Sequence, residues 1–314
     1  MEDRKTRLQD EGFSVIPKIF SEHELYDIRR NIRACFKNTD YKRYMSFSTG
    51  FVLEDALAFP ELQSIVANPR LVSAVRTITG IQNPTFTMSG SLSINRLGGW
   101  HSDGVTSTLR DYSISTPGCR VFTVGIYPQR YWTESEVVHG IRFKKRSHLS
   151  SEEDENLQEE FIYMDDGDVA IWNVNVLHTG REPDFGERCT MRIPRLSQKS
   201  RVKLRDVFHK VTFRKDRMFF VFTVGDAGDF IQTYSAVMLW KSTIRSNKDW
   251  FEINPSLVGA LANQGAACVF SEPGKYRLNI DADRPFDIQS ESNFISTPSG
   301  VRISVSDLEY KLDR

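Results

Sequence analysis

The sequence Gly98-Gly99-Trp100-His101-Ser102-Asp103-Gly104 follows a predicted strand, 85–95, that is rich in Thr, Ser, Phe, Leu and Ile. On an extended segment, residues i and i+2 point to the same face, so the His101 imidazole and the Asp103 carboxylate can both reach one metal ion. A second histidine, His178, lies further along the chain. Two histidines and one carboxylate make the facial set of non-haem Fe(II) oxygenases, which leaves coordination positions open. We predict that His101, Asp103 and His178 bind iron and form the catalytic centre.

The alternative for this motif is that His101 and His178 are ordinary polar residues near turns. A His-x-Asp pair occurs often by chance, and the glycines that flank it mark a turn on either interpretation. The rest of the chain must therefore decide between a metal site and a surface loop.

Composition argues against several classes of protein. The 314 residues include 41 basic and 41 acidic side chains, a net charge of zero that gives no support to a general nucleic-acid or membrane role. The four cysteines are far apart and lack CxxC spacing, so the sequence indicates neither a disulfide framework nor a zinc knuckle. The charged N-terminus leads into no signal sequence, and no apolar run reaches the roughly 18 residues of a spanning helix. We expect a soluble, cytoplasmic protein.

Helix signals come first along the chain. A capping box at Ser21 to Glu24 begins an amphipathic helix over 22–36. A second helical region covers about 60–79, with Pro69 as an internal break and Gly80 as its end. These helices carry no chemistry, and we predict that they buttress the rest of the fold.

Strand signals dominate after Asn83. Short strands are separated by turns, and they include a buried strand at 120–127 and a strongly apolar one at 218–224. This order predicts a mainly β, mixed α+β fold, in which a sandwich or barrel has helical cover. We predict one domain over 1–225 and a C-terminal extension, 226–314, packed on it.

A cosubstrate site is predicted shortly after His178. Arg188 begins an alternating segment, 188–193, which predicts a strand with Arg188, Thr190 and Arg192 on one face. A guanidinium and a hydroxyl on one face suit the capture of a carboxylate. The alternative is a surface strand with its charges in solvent, which is at least as good an interpretation for Arg192. We predict that Arg188 and Thr190 bind the carboxylate of a cosubstrate.

Two aromatic residues, Tyr127 and Trp172, lie on predicted strands near the metal ligands. Such side chains can line the site, and we assign Tyr127 to cofactor binding. Ordinary packing in the barrel core is an equal alternative for both residues.

Several landmarks occur in a fixed order along the chain. They are an Asp-x-Gly-Phe turn with its strand and helix at Asp10 to Phe36, the helix from Pro69 to Gly80, His101-Ser102-Asp103, Gly140 to His148, Gly167-Asp168 before His178, and Arg188. In this order they resemble the phytanoyl-CoA dioxygenase family of Fe(II)/2-oxoglutarate-dependent oxygenases, over about residues 8–195. Lys145 and Arg146 stand where that family usually has Pro-Gly, and His139 stands where Asn is common.

The resemblance implies a double-stranded β-helix core, of the jelly-roll or cupin-like kind, with buttressing N-terminal helices. It implies Fe(II) and 2-oxoglutarate as cofactors, with Arg188 and Thr190 holding the far carboxylate of 2-oxoglutarate. It also implies a dioxygenase that uses O2 to hydroxylate or otherwise oxidise a small molecule, with release of succinate and CO2. Related halogenases have a small residue at the place of Asp103, which leaves room for chloride, so Asp103 favours hydroxylation or another oxidation.

Two functions of other kinds stay open from the sequence. One is a barrel that binds a ligand or protein partner without catalysis, although such a protein need not keep His101, Asp103, His178 and Arg188 together. The other is a metal-dependent isomerase or similar cupin-like enzyme, which would need no arginine after the last histidine. The basic stretch 195–217 could face an anionic substrate, although a solvated surface is the more common role of such a run.

Overall fold

The computed structural model describes residues 2–39, 43–44, 50–54, 56–96, 98–104, 110, 113–115, 120–129, 140–150, 156–180, 185–193, 195–211, 216–246, 250–272, 274–279, 294–296 and 302–304. In chain order its elements are α1 (Glu2–Glu11), β1 (Phe13–Ile16), α2 (Glu22–Lys37), β2 (Arg43–Tyr44), β3 (Phe51–Glu54), α3 (Pro60–Val66), α4 (Pro69–Thr79), β4 (Thr85–Ile94), β5 (Val121–Ile126), β6 (Gly140–Lys144), β7 (Glu159–Tyr163), β8 (Val169–Asn173), β9 (His178–Thr179), α5 (Phe185–Met191), α6 (Gln198–Val211), β10 (Met218–Gly225), α7 (Asp229–Ser246), β11 (Trp250–Ile253), α8 (Pro255–Ala262), β12 (Ala267–Cys268), β13 (Gly274–Asn279), β14 (Phe294–Ser296) and β15 (Arg302–Ser304).

The N-terminal helices form where the sequence predicts them. At the start of α2, the Ser21 hydroxyl accepts a hydrogen bond from the Glu24 backbone N–H, and the Glu24 carboxylate accepts one from the Ser21 backbone N–H. Gly80 ends α4 with a φ of 70°, a left-handed conformation that glycine adopts without steric cost. The apolar faces of α2, α3 and α4 pack into a core with the outer face of the large sheet.

The large sheet orders its strands β1-β8-β5-β10-β4-β3-β2, so strands distant in sequence become neighbours. Every pair along this order is antiparallel, and β12 adds to β4 in parallel. A smaller antiparallel sheet has the order β7-β6-β9. Inner-face residues of both sheets, such as Trp172 and Phe143, share a second core. This arrangement confirms the predicted mixed α+β fold with a β-sandwich core.

The chain beyond residue 225 contacts the large sheet. Helix α7 packs against β4 and β3, and Ala267 of β12 pairs with Thr85 of β4. The remaining strands β11, β13, β14 and β15 form a sheet of their own. Within the described ranges, no helix combines the length and the hydropathy that crossing a bilayer requires.

The core between the two sheets predicts a large stability effect at Phe143. This side chain is fully buried and stacks on Phe13 with ring centroids 4.2 Å apart. Phe143→Ala should lower the free energy of unfolding by about 3–5 kcal/mol, because it removes buried apolar surface and leaves a cavity. Urea denaturation measures the change. Tyr163→Ala, on the exposed side of the neighbouring strand β7, is the control and should cost less than about 1 kcal/mol. Equal losses in the two variants would contradict the assignment of Phe143 to the core.

Candidate metal centre

The two histidines of the predicted triad are neighbours across a backbone bridge. The His101 N–H donates to the His178 carbonyl at 3.0 Å, and the His178 N–H donates to the His101 carbonyl at 2.9 Å. Directly paired residues of an antiparallel ladder project to the same face, so the two imidazoles lie side by side with ring centroids 4.4 Å apart. The sequence motif Gly98 to Gly104 is therefore placed against β9 by main-chain hydrogen bonds.

Asp103 completes the cluster. Its Oδ1 lies 3.7 Å from His178 Nε2 and 4.0 Å from His101 Nε2. One ligand atom from each of the three residues can be chosen so that all lie within 4.8 Å of one another. The structure thus brings together His101, Asp103 and His178, as the sequence predicted.

Main-chain carbonyls fix the protonation of both imidazoles. His101 Nδ1 lies 2.7 Å from the Gly99 carbonyl, and His178 Nδ1 lies 3.0 Å from the Val176 carbonyl. A carbonyl only accepts hydrogen bonds, so each Nδ1 carries the proton and donates it. Each Nε2 is then left with a lone pair that points toward the other ligand atoms, which is the arrangement that holds a metal.

Two side chains orient the Asp103 carboxylate. Thr123 on β5 donates its hydroxyl to Oδ2 at 2.7 Å, and Trp172 on β8 donates its indole N–H to the same oxygen at 2.8 Å. Oδ2 is therefore engaged by the protein, and Oδ1 is the oxygen that faces the histidines. Tyr234 on α7 also donates its hydroxyl to the Asp103 backbone carbonyl at 3.1 Å.

The electrostatics keep the cluster in its metal-binding form. Burial lowers the pKa of His178 to about 4, so this imidazole is neutral at physiological pH. Burial alone would raise the pKa of Asp103, but the facing His178 and His101 and the hydrogen bonds from Thr123 and Trp172 lower it below its ordinary value. A neutral imidazole and an ionised carboxylate are the forms that bind a cation. The donor set, two nitrogens and one oxygen, fits Fe(II).

Two cavities meet at this cluster. The first, here called the aromatic cavity, has a volume of about 110 Å³ and is walled by Tyr127, Trp172 and Phe219 together with Arg96 and Arg217. The second, here called the hydroxyl cavity, has a volume of about 230 Å³. The walls of the hydroxyl cavity include Ser89, Ser91, Thr223 and Glu54. His101, Asp103 and Arg96 border both cavities.

The strand predicted over 188–193 is wrong. Arg188 and Thr190 lie on helix α5, where the Arg188 side chain is exposed and the Thr190 hydroxyl donates to the Glu187 carbonyl at 2.9 Å. Both residues are described by the structure, and neither lines either of the two cavities. An alternation over a few residues is too short to distinguish a strand from a turn of helix, and here the segment belongs to a helix. The cosubstrate role of Arg188 and Thr190 stays a prediction, and the structure places both residues outside the walls of the two cavities.

Arg217, unlike Arg188, lines the aromatic cavity. After β8, the next strand of the large sheet along the chain is β10, and β9, α5 and α6 lie between them in the sequence. Arg217 directly precedes β10 and lines the aromatic cavity, as does Phe219 on the same strand. The signal was available in the sequence, because 218–224 was recognised as a strongly apolar strand and Arg217 is the residue before it.

Tyr127 and Trp172 both stand in the wall of the cavity that also includes the three residues of the cluster. Tyr127 lines the aromatic cavity and packs on Phe219 with ring centroids 4.6 Å apart. Trp172 lines the same cavity and belongs to the core between the sheets. The sequence left two roles open for Trp172, lining the site and packing in the core, and the structure shows both. The ring packs in the core between the sheets, and its N–H donates to Asp103.

Removing one of the hydrogen bonds to Asp103 should weaken metal binding. Thr123→Val keeps the side-chain shape and deletes the donor to Oδ2, so the affinity for Fe(II) or Mn(II) should fall by about 10- to 100-fold. Thr79→Val is the matched control, since its buried hydroxyl donates to the Val75 carbonyl within α4. Anaerobic calorimetric titration with Mn(II) measures both. If Thr123→Val binds Mn(II) as tightly as the Thr79→Val control, the orienting role of Thr123 is wrong.

Solved structures share this fold. The non-heme alpha ketoglutarate dependent epimerase SnoN from nogalamycin biosynthesis matches with a TM-score of 0.52 and 12% identity, over 72% of this chain and 82% of SnoN. The non-heme alpha ketoglutarate dependent carbocyclase SnoK, from the same biosynthesis, matches with a TM-score of 0.52 and 14% identity, over 72% of this chain and 84% of SnoK. At such identities the likeness shows a common fold. No protein-family model and no curated protein sequence matches the chain, so the resemblance to the phytanoyl-CoA dioxygenase family stays a prediction.

Proposed function

We propose that this chain is an Fe(II)- and 2-oxoglutarate-dependent dioxygenase that oxidises a small molecule with release of succinate and CO2. One observation carries the proposal: the Nε2 atoms of two histidines, each with its Nδ1 bonded to a main-chain carbonyl, and the Oδ1 oxygen of Asp103 converge in the wall of a small cavity that contains arginine. The fold shared with SnoN and SnoK, both described as alpha ketoglutarate dependent, supports it.

Iron has a defined set of ligands in this proposal. His101 Nε2, His178 Nε2 and Asp103 Oδ1 bind it, while Thr123 and Trp172 hold the carboxylate in place. A set of two histidines and one carboxylate would leave coordination positions open for cosubstrate and O2. When bound, Fe(II) and 2-oxoglutarate supply the oxidising power of the reaction.

The aromatic cavity receives 2-oxoglutarate. Its volume suits a small dicarboxylic acid, and its aromatic walls exclude water around the chain of the acid. Arg217 pairs with the far carboxylate, which replaces the role predicted for Arg188 and Thr190. Ser93 on β4 supports this assignment, because this residue lines the cavity and its buried hydroxyl has no hydrogen-bond partner among the described residues. A carboxylate oxygen would accept its proton. Tyr127 closes the cavity beside Phe219.

The carboxylate at position 103 bears on the type of reaction. The Asp103 Oδ1 oxygen faces the histidines, so the place that a halide would need is taken. We therefore propose hydroxylation or another oxidation in which no halide is transferred.

Two further proposals concern the chain as a whole. Residues 226–314 form an extension of the domain 1–225, which the contacts of α7 and β12 with β4 support. The protein acts in the cytoplasm, where thiols stay reduced, which the free thiols of Cys35, Cys189 and Cys268 support.

The proposed function is tested by measuring succinate. Purified full-length protein is incubated with 2-oxoglutarate, Fe(II) and air, and succinate is quantified by NMR with and without iron. Slow formation of succinate without added substrate, dependent on both iron and O2, is the expected result. Binding of Mn(II) and 2-oxoglutarate with no succinate in any condition would point instead to a barrel that binds ligands without catalysis.

A further inference from the structure

Helix α7 brings the C-terminal extension to the three-residue cluster. The helix packs against β4 and β3, and its Tyr234 is buried. Tyr234 and Met238 are four residues apart, so they lie on the same face of the helix. Both line the hydroxyl cavity, whose wall also includes His101 and Asp103. One face of α7 therefore forms part of the surface that surrounds the proposed metal ligands.

The segment that carries two of the proposed ligands is held at three points of its main chain. The backbone bridge between the two histidines is the first point. At the second, the Gly104 N–H donates to the Val174 carbonyl at 2.9 Å. At the third, the Tyr234 hydroxyl donates to the Asp103 carbonyl at 3.1 Å. The first two points lie on or next to strands of the domain 1–225, whereas the third comes from the extension.

The third point bears on where the Asp103 carboxylate lies. Thr123 and Trp172 hold this residue by its side-chain oxygen Oδ2, and Tyr234 holds it by its main-chain oxygen. A main-chain carbonyl in the interior needs a hydrogen-bond partner, so a segment that loses one turns to find another. A turn of the backbone at Asp103 would carry Oδ1 away from the two imidazoles, which lie 3.7 Å and 4.0 Å from it.

We infer that Tyr234 is a positioning residue of the metal centre, and that the C-terminal extension belongs to the catalytic unit through this side chain. Tyr234 acts through Asp103, by holding the main chain from which the carboxylate projects. The inference rests on the proposed function for the presence of the metal, whereas the positioning of the segment rests on the hydrogen bond. If Tyr234 served only the core, where its ring lies 6.2 Å from that of Phe230 between centroids, a phenylalanine would replace it without effect on the site.

Tyr234→Phe tests the inference, because it removes the hydroxyl and keeps the ring. Tyr276→Phe is the matched control: Tyr276 is also buried in the extension and donates its hydroxyl to the Glu272 carbonyl at 2.6 Å, but it lines neither of the two cavities. Calorimetric titration of the full-length proteins with Mn(II), without O2, measures the affinity. It should fall by about 10- to 100-fold in Tyr234→Phe and stay within about twofold of wild type in the control.

Two further measurements separate positioning from stability. The absorption spectrum of bound Co(II) depends on the geometry of its ligands, so it should shift in Tyr234→Phe and match the wild type in Tyr276→Phe. In the metal-free proteins, amide hydrogen exchange in the segment 98–104 should be about 5-fold faster in Tyr234→Phe than in the control, because the segment has lost one hydrogen bond.

Equal Mn(II) affinity, equal spectra and equal exchange in the two variants would overturn the inference, as would equal losses in both. The wild-type protein separates this result from a failure of the proposed function. Iron-dependent succinate from the wild type, with no difference between the two variants, sinks only the role of Tyr234. Faster exchange in Tyr234→Phe, with a wild type that binds no metal, supports the positioning of the segment and sinks the oxygenase.

Discussion

Replacing His178 with alanine should abolish the iron-dependent formation of succinate. His178 supplies one of the three ligand atoms of the proposed site, is 5% exposed, and pairs through its backbone with His101. Loss of a residue that only supports a ligand costs about 10- to 100-fold in metal affinity or activity, so loss of the ligand itself should exceed 100-fold. The rate of succinate formation and the affinity for Mn(II) should fall together.

His148→Ala is the matched control for this variant. His148 is also partly buried and has a ring nitrogen 3.1 Å from the Gln9 carbonyl, but it lines neither of the two cavities. Its loss should lower thermal stability and leave the specific activity of the folded protein within about twofold of wild type. Succinate formation in His178→Ala at the level of the His148→Ala control would show that the cluster is not the catalytic centre.

Arg217→Ala should weaken the binding of 2-oxoglutarate more than any other substitution of an arginine. Removing one partner of a charge-assisted pair costs about 2–4 kcal/mol, which corresponds to roughly 30- to 1,000-fold in Kd. Arg217→Lys should be intermediate, since it keeps the charge but loses the planar pair of donors. Calorimetric titration with 2-oxoglutarate in the presence of Mn(II), without O2, measures the Kd directly.

Arg188→Ala is the comparison that decides between the two arginines. Arg188 is exposed on α5, and its removal should change the Kd of 2-oxoglutarate by less than about twofold. A large loss in Arg188→Ala with an unchanged Arg217→Ala would restore the role that the sequence suggested. A loss only in Arg96→Ala would move the anchor to the other arginine of the aromatic cavity.

The features that sequence predicted well depend on local chemistry. The capping box at Ser21, the proline and glycine that bound α4, and the apolar strand β10 are each set by residues within a few positions of one another. The three side chains of the cluster could be predicted because a facial triad needs only two residues at a fixed spacing and a second histidine elsewhere. The direct backbone pairing of His101 with His178 could not be predicted from the sequence around either histidine, because it depends on how the fold brings the two segments together.

The features that sequence missed depend on which strands are neighbours. Arg217 lines the aromatic cavity because β10, which it precedes, lies between β5 and β4. Two helices, α5 and α6, come before β10 in the chain, and no local pattern predicts their length. The donors to Asp103 come from β5 and β8 for the same reason. The segment at Arg188 was assigned to a strand because an alternation over six residues, 188–193, fits either a strand or a short helix.

A crystal structure of the protein prepared without O2, with Mn(II) and 2-oxoglutarate, tests the central claim most directly. The anomalous signal of manganese locates the metal independently of the protein chain. We predict one strong peak within bonding distance of His101 Nε2, Asp103 Oδ1 and His178 Nε2, with 2-oxoglutarate in the aromatic cavity and its far carboxylate on Arg217. A metal bound elsewhere, or 2-oxoglutarate bound away from these three residues, would contradict the account.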